Sequence, residues 1–106
     1  MEQKYQGDVS IIKLDKEPKV SFAPLASEGL VVAEGEVTGH NHRLQVKDHS
    51  AVIGFAQDQN GFYIKVEGGN AVLTHQEHQT VELEPAIYFI GRQWEFDEIA
   101  ERRVRD

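Results

Sequence analysis

The sequence predicts an all-β fold: a small barrel or sandwich of short antiparallel strands, with a short C-terminal helix. Three observations carry that reading. Segments rich in β-branched residues, several alternating apolar with polar, recur about every 8 to 12 residues. Gly, Pro, Asn and Asp cluster between them, where turn chemistry is needed. Helical character is confined to the last ten or so positions.

Taken in order, Asp8-Val9-Ser10-Ile11-Ile12-Lys13-Leu14 alternates and then slips by one at Ile11-Ile12, as a bulge or a doubly buried strand would. Asp15 to Lys19 is a polar break in which Pro18 removes a ladder donor. Val20-Ser21-Phe22 is a brief apolar patch before Pro24 and Gly29 interrupt again. Leu30 to Val37 reads as a strand. His42 to Lys47 and Phe62 to Val66 alternate cleanly. Gln59-Asn60-Gly61 carries the Asn-Gly pair of a tight hairpin, and Glu67-Gly68-Gly69-Asn70 marks the next reversal. Ala71 to Thr74, Val81 to Leu83 and Ile87 to Phe96 complete the strands. Asp97 then caps a helical turn beginning at Glu98, with Ile99 and Arg102-Arg103 following.

The chain's 106 residues suit one domain over residues 1–106, able to bury roughly 65% of its unfolded surface around a single core. A hydrophobic fraction of 40% against 27% charged residues is that of a folded protein. The longest aliphatic run is Leu30-Val31-Val32-Ala33, far short of the roughly 20 residues of a membrane helix. The polar start Met1 to Gln6 has no apolar signal core, which makes the cytoplasm the expected compartment. Without cysteine, the chain can form no disulfide, thiolate metal site or cysteine nucleophile. A net charge of −7, with bases concentrated only at Arg102, Arg103 and Arg105, argues against nucleic acid as a partner.

Four of the five histidines form two groups, Gly39-His40-Asn41-His42 and Thr74-His75-Gln76-Glu77-His78. His40 and His42, two apart on a strand, share a face with Leu44 and Val46, the core side. His75 and His78 converge if the segment between them makes a helical turn. Brought together, His40, His42, His75 and His78 would bind a divalent transition metal, zinc favoured, since imidazole suits zinc, copper, nickel and iron. Glu36 and Glu77 beside the two groups are the candidate general bases, acting on a metal-bound water if only three imidazoles bind. The competing readings are a metal-free hydrogen-bonded cluster, unrelated surface histidines, a pH-sensing cluster and a metal-free acid–base pair. His49 stands apart in a polar turn.

Other features carry less. Arg92 shares a strand face with Tyr88, Ile90, Trp94 and Phe96 and is read first as half of an internal Arg–Glu pair with its stem in the core. Gly68-Gly69 lacks the lysine and helix of a phosphate loop, and no serine sits in a Gly-x-Ser-x-Gly setting.

The stretches Ala33-Glu34-Gly35-Glu36-Val37-Thr38-Gly39-His40-Asn41-His42, Leu73 to His78, Val81-Glu82-Leu83, Tyr88 and Arg92-Gln93-Trp94-Glu95-Phe96, with an opening Gly7-Asp8-Val9, resemble a family of small, uncharacterised bacterial proteins. The resemblance spans most of the chain, least from Asp48 to Gly69, and implies one functional unit without naming a reaction. The His-x-His pair is also similar to that of cupins, β-barrels that hold a metal with such a pair, a Glu and a later His. Here the Glu expected shortly after His42 is absent and Gln45 stands nearby, so the likeness is one of geometry alone. The leading expectation is a metal-binding β domain. The alternative is a non-catalytic module of bacterial or phage origin that binds a protein partner or assembles as a homo-oligomer, using strand edges and the terminal helix.

Overall fold

The computed structural model describes residues 2–34 and 39–92. Ten strands lie among them: β1 (Gln3–Gln6), β2 (Val9–Lys13), β3 (Ala23–Pro24), β4 (Leu30–Glu34), β5 (Asn41–Val46), β6 (Val52–Asp58), β7 (Gly61–Glu67), β8 (Ala71–Thr74), β9 (Val81–Leu83) and β10 (Ala86–Arg92). They form a six-stranded sheet ordered β1-β2-β10-β7-β6-β3 and a four-stranded sheet ordered β4-β5-β8-β9, every pairing antiparallel. Of barrel and sandwich, the two separate sheets select the sandwich. The C-terminal helix expected from Asp97 onward, and with it Trp94 and Phe96, lies outside the described residues. Among those residues no helix is long and apolar enough to cross a membrane.

Period-two alternation builds the core. Val9 and Ile11 of β2, Ile53 of β6, Ile64 and Val66 of β7, and Tyr88 and Ile90 of β10 point inward from the larger sheet. Val32, Leu44, Ala71, Leu73 and Leu83 meet them from the smaller one. Leu44, Ile64, Leu73 and Ile90 are completely buried, each fixing the inward face of its strand. A one-residue slip of any of them would turn its apolar set outward.

The ambiguity at Ile11-Ile12 resolves as double burial. β2 pairs with β1 and β10 in unbroken register, and Val9, Ser10, Ile11 and Ile12 are all buried. The irregularity falls in β4 instead, where the register against β5 shifts between Val31 and Ala33. The tight hairpin expected at Gln59-Asn60-Gly61 is present. Asp58 pairs with Gly61, so Gln59-Asn60 form the loop and Gly61 opens β7. Asp58 Oδ1 accepts the Asn60 amide at 3.0 Å, and among the described residues no non-glycine has positive φ. Three strands escaped the pattern reading. The exposed edge strands β1 and β3 carry little apolar signal, β3 falling at the expected Pro24 break, and in β6 Gly54 interrupts the run where Phe22 packs against it.

The β1–β2 connection places the site. Gln6 pairs with Val9, leaving Gly7-Asp8 as a two-residue loop with Gly7 at φ 60°. Glycine at the first loop position matches the twist of the flanking strands at no steric cost. This loop lies at one end of the sandwich, against the start of β5 and the β8–β9 connection.

Candidate functional site

His42 follows the parity predicted for β5. It faces inward with Leu44 and is 1% exposed, although Val46 at the end of the strand is not buried. A buried imidazole needs its polar atoms satisfied. Its partner comes from β1: Gln6 is 2% exposed, and its Oε1 lies 2.8 Å from His42 Nδ1. The orientation of the Gln6 amide is set by its nitrogen, which donates to Leu73 O at 2.7 Å and Gln79 O at 2.9 Å. The amide oxygen must therefore accept, so His42 carries its proton on Nδ1 and keeps the Nε2 lone pair. Gln6 thereby joins β1, β5 and the β8–β9 connection in one buried network.

Around His42 stand the other rings. His75 lies 4.4 Å away between centroids, and His78 lies 6.1 Å away and nearly parallel at 9°. His75 and His78 are 4.6 Å apart. They converge through a series of bends, not the helical turn expected between them. One of those bends is held by the Glu77 amide, which donates to His75 Nδ1 at 3.0 Å and so leaves the His75 proton on Nε2. Gln76 ties the same segment to the start of β5, accepting from the Asn41 amide at 2.9 Å. His78 rests on the hairpin loop: a Cβ added at Gly7 would come within 2.6 Å of His78 Nε2.

His40 is half-buried and edge-on to His75 at 5.8 Å, its buried Nδ1 without a hydrogen-bond partner and 3.8 Å from Glu77 Oε1, whereas His78 is exposed. Glu36 lies outside the described residues. The structure thus gathers His42, His75 and His78, leaves His40 and Glu77 at the margin, and brings in two groups the pattern reading did not assign. One is Gln6, whose only sequence signal is a polar residue ahead of a Gly-Asp turn. The other is Asp8, whose Oδ1 is 3.6 Å from His42 Nε2 and whose Oδ2 accepts from Arg92 at 3.0 Å. Arg92 pairs with this aspartate and not with the glutamate expected, the pair is only part-buried, and the other Arg92 terminal nitrogen donates to Glu34 O at 2.7 Å.

Burial first, and then the neighbouring His75, lower the His42 pKa to about 4, against a smaller raising effect from Asp8. The ring is therefore neutral at pH 7, a free base with its lone pair inside the cluster. Among the described residues, no three His, Asp or Glu side chains present their donor atoms as a ready metal centre. The bond from the Glu77 amide to His75 Nδ1 is one reason, because it ties up one ring nitrogen and leaves the proton on the other.

The fold and site together define a two-sheet β-sandwich with a histidine cluster closing one end. The chain belongs to the family described as a domain of unknown function, DUF8820, which it matches over residues 5–93. That span runs from the residue before Gln6 to the residue after Arg92, and bears out the resemblance to an uncharacterised family. No curated protein and no solved structure is detectably similar to the chain.

Proposed function

We propose that this domain binds a divalent transition metal, zinc first, through the imidazoles of His42, His75 and His78. The observation that carries the reading is the state of His42: buried, neutral, oriented through Nδ1 by a buried amide, with two further imidazole rings beside it. Imidazole ligands are prepared in this way, one ring nitrogen fixed by an outer partner so that the other is presented as a lone pair. Loading requires His75 to release the Glu77 amide and turn, a loop adjustment on the scale of common binding rearrangements. Glu77, beside His40, would be the group to take a proton from a bound water.

The test is metal content and titration on tag-free protein. Wild type should take up one equivalent of zinc, and His42→Ala and His75→Ala should lose it. Wild type that stays metal-free in micromolar zinc would remove the proposal.

A further inference from the structure

His42 Nε2 faces Asp8 Oδ1 across 3.6 Å. With the His42 proton committed to Gln6, both atoms offer lone pairs. The separation is also too long for a hydrogen bond. Two electron-pair donors aimed at each other repel, and a cation between them converts that repulsion into attraction. The spacing fits such an ion: two ligands 2.0–2.1 Å from a tetrahedral zinc stand about 3.4 Å apart. The carboxylate is held from behind. Asp8 Oδ2 accepts from Arg92, and Arg92 is anchored in turn on Glu34 O. The free oxygen is thus fixed in direction while the other is neutralised, as an outer partner does for a ligating carboxylate.

His78 must turn to reach the same point, since among the described residues no three such donors are gathered there. Its Nε2 edge lies over Gly7, the residue next to Asp8, and its ring is nearly parallel to that of His42. His40 meets the cluster through His75 and Glu77 instead.

Resting on the metal-binding reading, we infer that Asp8 is a ligand of that metal together with His42 and His78, that Arg92 positions its carboxylate, and that His40 is not a ligand. With His75 the set is three imidazoles and one carboxylate, and a water would enter by expansion to five-coordination. The metal would also tie the β1–β2 loop of one sheet to β5 of the other.

The experiment is zinc titration of the full chain against a chromophoric chelator, for wild type, Asp8→Asn and His40→Ala. Asp8→Asn should weaken binding at least about tenfold, and His40→Ala should match wild type. Because Asp8→Asn also breaks the Arg92 pair and could unfold the loop, a second measurement uses wild type alone. The side-chain carboxyl ¹³C signal of Asp8 should shift on zinc addition, together with the ring signals of His42 and His78. Asp8→Asn binding as tightly as wild type, an unmoved Asp8 carboxyl, or an equal loss in His40→Ala would each overturn the assignment while leaving the cluster reading intact. Wild type that binds no zinc would overturn both.

Discussion

Replacing Gln6 with leucine probes the network on which the site is built. Leucine nearly preserves the volume but deletes the bond from His42 Nδ1 and both bonds to the carbonyls of Leu73 and Gln79. Two of the groups left behind, the His42 N–H and the Leu73 carbonyl, are buried, and each orphaned group costs about 1–3 kcal/mol. The added apolar surface returns about 1 kcal/mol. The net loss is about 1–5 kcal/mol, a large part of the roughly 5–15 kcal/mol that holds a domain together. Urea unfolding followed by circular dichroism measures it. Gln3→Leu on the exposed part of the same strand serves as the control, with an expected change within about 0.5 kcal/mol. A Gln6→Leu loss below about 1 kcal/mol at unchanged m-value would refute the claim that Gln6 is the buried tie between the sheets.

Two further outcomes follow from the same geometry. In chelator, stability should fall with acidification between pH 6.5 and about 4. The unfolded chain takes up the His42 proton from 6.5 downward, whereas the folded chain resists until about 4. The contribution is therefore complete above 6.5 and gone below 4, worth about 2–3 kcal/mol, and His42→Gln should flatten that part of the curve. Gly7→Ala should cost more than Gly39→Ala. Both glycines have positive φ, at 60° and 87°, so each substitution carries about 1–2 kcal/mol of backbone strain. Only at Gly7 does the new methyl also meet the His78 ring, while at Gly39 nothing lies within 4 Å, so equal shifts in Tm would remove the contact between His78 and the loop.

Much of the sandwich was legible because alternation encodes burial directly. His42, Leu44 and Val46 were assigned to one face of β5, and His42 and Leu44 lie buried there. Val81 to Leu83 was read as a strand with the bounds it has. Strands β1, β3 and β6 were not legible. An edge strand needs no apolar face of its own, and the close approach of Phe22 at Gly54 depends on a distant neighbour. The tight turn at Gln59-Asn60-Gly61 was legible from its Asn-Gly pair, and only the register that places Asp58 opposite Gly61 came from the structure.

Residue order alone determined that the chain would form short strands around one apolar core, and that its histidines would enter it in two groups. It could not determine which of those histidines meet, or what meets them. Gln6 and His42 are 36 residues apart, and Asp8 and Arg92 are 84 apart. Such pairs carry no periodic signal, because Gln6 meets His42 only when the two sheets pack face to face and Asp8 meets Arg92 only when β2 pairs with the distant β10. Tertiary packing placed a glutamine, an aspartate and three imidazoles at one end of the sandwich, and moved His40 to its edge.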